Sequence, residues 1–356
     1  MSGGVDSSVA AALLQRAGYD VTGVFMCLGR SADGRGDSPI DLGGSPGPGQ
    51  GCCSPQDAAD ARRVAELLGI RLETIDLAAE MELIIRYFLE EYRRGRTPNP
   101  CVLCNARLKF GRLVELAEVL DIPDVATGHY ARLLERDGRR WLCRAVDLSK
   151  DQSYGLFAVG SDRLARILLP NGELRKQEVR ALAAELHLPV HDKPESQEIC
   201  FVPDDDYPRF LAARCPELSR PGPVVDTSGR VLGEHQGIFR YTIGQRRGLG
   251  MALGSPAYVV RIDALANTIT LGGREELLGT RLLATGVNWL DGEWAGKDSF
   301  AASVQIRYNH RGVPATVQPL ADSVQVDFEE PVSAITPGQA AVIYRDDRVI
   351  GGGWIV

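Results

Sequence analysis

Two hydrophobic periods alternate along the first half of the chain. Apolar residues recur at helical spacing from Asp6 to Ala17, where Gly18 stops the run, and a short β-type stretch follows from Val21 to Met26. Ser54 and Pro55 supply an N-cap and a first-turn proline for a helix through Leu68, closed by Gly69. Arg71 to Leu77 reads as the next strand, Ala78 to Arg94 as a helix, and Asp124 to Thr127 as a strand ending on Gly128-His129-Tyr130. Another amphipathic helix spans Arg175 to Leu186. Strands separated by helices predict an α/β fold, a doubly wound parallel sheet with ligands at the carboxyl ends of its strands. Between Gly29 and Gly51 lies a stretch rich in Gly, Pro, Ser and Asp, with no periodicity, which reads as a surface insertion.

Past Pro203 the period changes. Strand-like runs separated by turn residues cover Tyr258–Ile262, Thr268–Leu271, Ser303–Arg307, Ala315–Pro319, Val324–Phe328 and Ala340–Tyr344, a spacing that predicts a C-terminal antiparallel β-barrel. The expected division is residues 1–203 as a catalytic domain, 204–275 as a small central connecting domain and 276–356 as the barrel.

Composition narrows the class. With 44% hydrophobic and 24% charged residues in 356, the chain has material for two or three globular domains. No apolar run is long enough to span a bilayer and no basic-then-apolar leader opens the chain, so no membrane association and a cytoplasmic location are expected. In that compartment the eight cysteines are expected to be thiols, catalytic groups or metal ligands rather than structural bridges. A net charge of −7 does not advertise nucleic-acid binding, but it says little about any one face.

Chemistry enters at the start. Ser2-Gly3-Gly4-Val5-Asp6-Ser7-Ser8 runs directly into a helix, and a glycine turn feeding a helix N-terminus presents backbone N–H groups and a favourable dipole to an anion. Hydroxyls of Ser2, Ser7 and Ser8 are expected to add donors. A Walker loop would need a Lys-Ser/Thr pair after its last glycine, and none occurs here. A pyrophosphate grip without that lysine suits cleavage of ATP between its first two phosphates, with AMP placed on an acceptor. Such a loop ordinarily follows a buried strand, and the numbering begins at the loop, so the first strand is expected to be missing.

From Arg93 to Arg112 there are six basic residues (Arg93, Arg94, Arg96, Arg107, Lys109 and Arg112) and no acidic one. Two thiols, Cys101 and Cys104, sit inside that stretch at a loop-to-helix junction, where a helix N-terminus and nearby cations favour a thiolate. Cys200 stands alone after another loop.

Several segments together resemble the tRNA-specific 2-thiouridylases of the ATP-pyrophosphatase class. They are Ser2–Ser8, Thr97–Phe110, Ala126–Arg132, Ser149–Tyr154, Ser196–Cys200, Gly233–Gly237, Tyr241–Gly250, Arg307-Tyr308 and Thr336–Gln339, covering nearly the whole chain. The resemblance implies ATP- and magnesium-dependent adenylation of the C2 oxygen of the wobble uridine of tRNA, followed by its replacement with sulfur. It implies Cys200 as the persulfide carrier and Cys104 as the thiol that releases the product, leaving a Cys104–Cys200 disulfide. It assigns Ser2, Gly3, Gly4, Val5, Asp6, Ser7, Ser8, Met26 and Gly128 to the nucleotide, with Asp6 as the magnesium or positioning carboxylate. Asn99, Pro100, Cys101, Lys150, Asp151, Gln152, Arg307 and Tyr308 fall to the tRNA. Expected partners are tRNA and a sulfur-donor protein or sulfide source, and the chain is expected to act as a monomer.

One position departs from the family: Cys101 stands where many members carry aspartate. Three thiols, Cys101, Cys104 and Cys200, with an open fourth position are a ligand set that suits an iron–sulfur cluster delivering sulfide, so persulfide and cluster routes both stay open. Other readings are a different ATP-pyrophosphatase-type tRNA-modifying enzyme or synthetase, and a non-catalytic tRNA-binding relic.

Overall fold

In a computed structural model, residues 1–28, 54–136, 138–195, 199–202, 206–251 and 256–356 are described. The Gly/Pro-rich insertion and Ser196 to Glu198 lie outside them. The chain divides into two units, Met1–Ile85 with Cys101–Asp205 and Asp347–Val349, and Arg86–Pro100 with Asp206–Asp346 and Ile350–Val356.

The first unit begins with helix α1 (Val5–Arg16), whose Val9, Ala10, Ala11 and Ala12 are buried. Strand β1 (Thr22–Cys27) runs parallel to β2 (Arg71–Asp76), with Thr22 opposite Arg71 and Cys27 opposite Asp76. Between them lies α2 (Pro55–Leu68). Its start carries a capping box: Asp57 N–H donates to Ser54 Oγ at 3.1 Å and Ser54 N–H to the Asp57 carboxylate at 3.2 Å. Gly69 closes it at φ +65°, a left-handed conformation that glycine adopts without Cβ strain. Helix α3 (Ala78–Arg93) follows, then a short turn α4 (Pro100–Leu103), a π-helical stretch Cys104–Arg112 and α5 (Leu113–Val119).

Strand β3 (Val125–Ala126) is short, and a hairpin of β4 (Ala131–Arg136) and β5 (Arg139–Arg144) comes directly after it. Helix α6 (Ser161–Leu164) precedes β6 (Ile167–Leu168), which pairs parallel with β3, and α7 (Lys176–Glu185) follows. The parallel strands thus stand as two separate pairs, β1–β2 and β3–β6. Val5 and Val9 of α1 pack with Val64, Tyr130, Val179, Ala183 and Leu188, so α1 and α7 share one core. The loop at the head of α1 therefore rests on a buried helix.

In the second unit, α8 (Tyr207–Arg214) leads into β7 (Gly222–Asp226), β8 (Val231–His235), β9 (Tyr258–Asp263) and β10 (Thr268–Gly272). The strand order is β8-β7-β10-β9, with β7 and β10 parallel and the other pairs antiparallel. The two runs read as the start of the barrel, Tyr258–Ile262 and Thr268–Leu271, belong to this sheet instead. His235 is buried, its Nδ1 accepts from Gly237 N–H at 3.0 Å, and its Nε2 lies 3.0 Å from the Asn267 carbonyl. The Gly233–Gly237 motif thereby locks a turn.

The barrel itself comprises β11 (Leu278–Trp289), β12 (Phe300–Gln305), β13 (Val313–Pro319), β14 (Ser323–Ser333), β15 (Ala340–Arg345) and β16 (Arg348–Ile355). Strands run in the order β11-β14-β13-β12-β15-β16, and β16 pairs with β11 to close the ring. Glycines permit that closure: a Cβ on Gly351 would lie 2.8 Å from Asn288 O, and one on Gly353 2.9 Å from Thr285 O. Leu282, Val304, Val317, Val326, Ile343 and Ile350 fill the interior. No helix of the described residues is long and apolar enough to cross a membrane.

Candidate active site

Gly3 turns the opening loop at φ +69°, and a Cβ there would fall 2.3 Å from the Asp57 carbonyl oxygen, so only glycine fits. No side chain caps α1 behind Gly4, which leaves the first-turn N–H groups as an anion site with the helix dipole behind them. Ser2 and Ser7 hydroxyls lie 3.2 Å apart, and Ser2 N–H donates to Ser7 Oγ at 3.1 Å. Ser8 differs from expectation. It is fully buried and its hydroxyl donates to the Gly4 carbonyl at 2.7 Å, so it braces the loop from inside. Val5 likewise turns its side chain into the core and can offer a ligand only its backbone.

Beneath the loop, Lys193 Nζ donates to Gly3 O at 2.9 Å and to the carboxylates of Asp57 and Asp60, each at 2.7 Å. Burial opposes the charged forms here, but the hydrogen bonds win: the Asp60 carboxyl lies below its ordinary value and the Lys193 ammonium above its own.

Gly128 follows β3 and backs onto the head of α1, where a Cβ would lie 2.6 Å from the Asp6 carbonyl carbon. Asp6 faces a cluster that sequence reading missed. Lys176 Nζ holds Asp6 Oδ1 at 2.7 Å and Oδ2 at 2.9 Å, and the Tyr130 hydroxyl donates to Oδ1 at 2.8 Å. Asn171 Nδ2 joins the Asp6 and Gly128 carbonyls at 3.0 and 3.1 Å. Glu195 bridges Lys150 at 2.7 Å and Lys176 at 3.3 Å, and both lysines hold its carboxyl below the usual range. Asp6 nevertheless keeps 35% of its side chain exposed. Met26 is half-buried in β1. The bare helix terminus, the glycine turn and the adjoining lysine and carboxylate fit a nucleotide triphosphate.

His129 is half-buried with its Nδ1 2.8 Å from Thr127 Oγ1, and its ring packs on Phe110 at 5.6 Å. Burial first, and then the charge of Lys109, hold this imidazole well below its ordinary pKa.

Cys101 is exposed in α4, Cys104 is buried at the start of the π-helical stretch, and Cys200 is half-buried. The wide π turns are braced from outside. Asn105 Nδ2 donates to Gly155 O at 3.0 Å, and Arg163 Nη1 donates to Ala106 O at 3.1 Å. Among the described residues, no group of three or more His, Cys, Asp or Glu side chains is arranged to hold a metal ion. The structure therefore does not bring Cys101, Cys104 and Cys200 together as the iron–sulfur ligand set the sequence suggested. The basic run is also corrected. Arg93 pairs with Glu217 and Glu90, Arg94 and Arg96 with Glu91, and Arg112 with Glu80 and Glu115, so most of its charge is neutralised. Glu90, Glu91 and Glu115 flank the run at short, helix-type spacing, and only Glu80 and Glu217 reach it from farther along the chain.

Of the residues matched to tRNA, Asp151 turns inward. Its side chain is 6% exposed, and it accepts from Arg144 Nη1, Ala145 N–H, Ser153 N–H and Ser153 Oγ at 2.9, 3.0, 3.2 and 2.8 Å. Its carboxylate anchors the loop that carries Lys150 and Gln152, and Gln152 Oε1 accepts from Tyr130 N–H at 2.8 Å. In the second unit, Arg307 Nη2 donates to Ser333 O at 2.8 Å, and Tyr308 is 47% exposed. Asn99 is half-buried and Pro100 buried. The turn Thr336–Gln339 grips the same segment, with Thr97 N–H donating to Pro337 O at 2.9 Å.

Three family models match the chain: a tRNA methyl transferase HUP domain over residues 1–204, a tRNA methyl transferase PRC-barrel domain over 208–273, and an aminomethyltransferase beta-barrel domain over 279–355. A tRNA-specific 2-thiouridylase MnmA of Carboxydothermus hydrogenoformans is 49% identical, covering 100% of this chain and 96% of that protein. Proteins of the same name from Rhodopirellula baltica and Geobacter metallireducens are 45% and 47% identical over 100% of this chain, with 94% and 95% of their own lengths covered. Among solved structures, an NMN synthetase from Francisella tularensis aligns with 60% of this chain and 74% of its own at 20% identity and a TM-score of 0.33, a likeness too slight to carry any inference. With near-half identity sustained from end to end, the chain belongs to the tRNA-specific 2-thiouridylase family.

Proposed function

We propose that the chain catalyses ATP-dependent 2-thiolation of the wobble uridine of tRNA. The observation that carries this reading is the 49% identity, over the full chain, to a protein named for that activity. The geometry around α1 agrees with it. The first-turn N–H groups behind Gly4 would donate to the phosphate oxygens, Lys176 would supply the cation that the loop itself lacks, and Asp6 is the carboxylate that would hold magnesium with them. Oxide is a poor leaving group, so uridine O2 first attacks the α-phosphorus of ATP, expelling pyrophosphate and placing AMP on the oxygen.

The terminal sulfur of a Cys200 persulfide then attacks C2 and AMP departs. The Cys104 thiolate attacks Cys200 Sγ and breaks the sulfur–sulfur bond, so that the transferred sulfur leaves on the base. A Cys104–Cys200 disulfide remains, which an external thiol reduces before a sulfur-donor protein recharges Cys200. Cluster-bound sulfide held by Cys101, Cys104 and Cys200 is the alternative sulfur source within the same proposal. The three matched segments support a catalytic portion at 1–203, a connecting portion at 204–275 and a tRNA-contacting barrel at 276–356. Action as a cytoplasmic monomer is part of the same proposal.

Mass spectrometry of tRNA incubated with the protein, ATP, magnesium and a sulfur donor tests this directly. Sulfur replacing oxygen at the wobble uridine, only when ATP is present, is the expected result. Release of pyrophosphate on tRNA without sulfur gain would point to another ATP-pyrophosphatase-type enzyme. No tRNA-dependent pyrophosphate at all would leave a tRNA-binding relic.

A further inference from the structure

The segment Thr97-Pro98-Asn99-Pro100 cannot shape itself. Pro98 and Pro100 have no N–H, and the backbone from Thr97 to Asn99, ahead of α4, lies in neither helix nor strand. Its geometry is set from outside, by partners within the second unit. Thr97 N–H donates to Pro337 O at 2.9 Å. The Asn99 backbone lies against the phenol of Tyr87, whose ring packs against Trp354 at 6.0 Å. The two carbonyls fall to one side chain, for Gln339 Nε2 donates to Thr97 O at 3.0 Å and to Pro98 O at 3.3 Å.

The turn that presents Gln339 is itself fixed. Gly338 has φ +90°, and a Cβ there would lie 2.8 Å from Thr97 O, so the turn can approach this closely only with glycine. Gly338 N–H donates to Ile355 O at 2.9 Å and Ile355 N–H to Gln339 O at 2.9 Å, tying the turn to the last barrel strand. Gln339 is thus the one side chain among the described residues that clasps two consecutive carbonyls of the proline-bounded segment.

We propose that Gln339 is a positioning residue for the thiolation reaction: by holding the Thr97 and Pro98 carbonyls, it sets the conformation in which Asn99 and Pro100 meet the target uridine. This rests on the reading of Asn99 and Pro100 as the base-facing segment. Gln339 touches neither substrate nor reacting atoms. It acts through the backbone whose two carbonyls it holds.

Two substitutions test it. Gln339→Ala removes the donor, and Gln339→Lys restores one, since an ammonium offers three N–H groups to the same pair of carbonyls. In the tRNA-free protein, amide exchange at Thr97 and Asn99 should rise about tenfold or more in the alanine variant and return toward wild type in the lysine variant. Exchange in the barrel strands should stay the same in both. In turnover, Gln339→Ala should lower kcat for tRNA thiolation by about 10- to 100-fold, the scale of a misplaced reactant, with KM for ATP unchanged within about twofold. Lysine should recover most of it. Unchanged exchange at Thr97 and Asn99 in the alanine variant would overturn the proposal, as would a uniform rise across the barrel that lysine does not reverse. The exchange measurement needs no activity, so it decides the role of Gln339 even where wild-type protein fails to thiolate tRNA and the functional reading falls.

Discussion

Lys176 and Asp6 lie 170 positions apart in the chain, yet Lys176 Nζ sits 2.7 and 2.9 Å from the two carboxylate oxygens of Asp6. The lysine opens α7, and the aspartate stands in the first turn of α1. The opening loop lacks the lysine that a Walker loop carries within its own motif. Here the fold sets a lysine from a different helix beside the head of α1 and pairs it with the Asp6 carboxylate.

Removing the lysine tests that arrangement. Lys176→Met should weaken ATP binding by about tenfold or more, because Asp6 would then present an uncompensated negative charge to the phosphates. Loss of a charged partner that is itself nearly buried should also lower stability by about 1–3 kcal/mol. Calorimetric titration with ATP and a denaturant melt check the two effects. Wild-type ATP affinity in a folded Lys176→Met protein would remove the lysine from the phosphate site.

The two cysteines separate the two halves of the reaction. Cys104→Ser and Cys200→Ser should each abolish sulfur incorporation while tRNA binding and tRNA-dependent pyrophosphate release persist, because in the proposed reaction adenylation precedes any step that uses a thiol. Cys101→Ser should keep sulfur incorporation, since the structure gives Cys101 no place in a metal-binding group. A brown protein after anaerobic purification, losing its visible absorbance in Cys101→Ser, would reverse that expectation.

Acid stability should carry a signature of His129. Its imidazole is held well below the ordinary value of 6.5, firstly by burial and secondly by Lys109. A depressed histidine is neutral when folded but takes a proton in the unfolded chain below about pH 6.5, so stability is complete above that pH and falls as pH drops. One such group contributes a slope of up to about 1.4 kcal/mol per pH unit. His235 and His310 are depressed in the same direction, so the wild-type slope includes them too. His129→Gln should reduce that slope by one proton, and unfolding free energies measured between about pH 5 and pH 8 show whether it does. An unaltered slope would mean that His129 titrates normally.

What was legible follows from how local the signal is. The N-cap at Ser54, the stop at Gly69 and the glycine loop before α1 are written in adjacent residues, and the structure places them as read. The chain closes its barrel with β16, but Gly351, Gly352 and Gly353 hide that strand, since they are poor strand formers chosen for close approach to β11. The π-helical stretch was equally invisible, because its Asn105 and Ala106 are held by Gly155 and Arg163, some 50 positions or more along the chain. At the site, the glycines and cysteines announced themselves by type and spacing. Lys176, Tyr130, Asn171 and Lys193 did not, because ordinary polar residues gain their meaning only when the fold sets them against Asp6 and Gly3.

Gly128 offers the sharpest steric test of how the loop is seated. Its position leaves a Cβ only 2.6 Å from the Asp6 carbonyl carbon and 2.7 Å from Ser7 N. Both neighbours are backbone of a helix packed into the core through Val5 and Val9, so neither can yield without moving the whole N-terminus of α1. Gly128→Ala should therefore cost about 1–3 kcal/mol of stability, as overpacking of a tight interior does. It should also displace the first-turn N–H groups and the paired Asp6, weakening ATP binding more than it weakens the fold. Alkylation of Cys200 by iodoacetamide should proceed at its wild-type rate, since that thiol lies on a different loop. ATP titration, a denaturant melt and the alkylation rate together separate a seated loop from a general loss of structure. Unchanged ATP affinity in the alanine variant would show that α1 can shift without cost to the anion site.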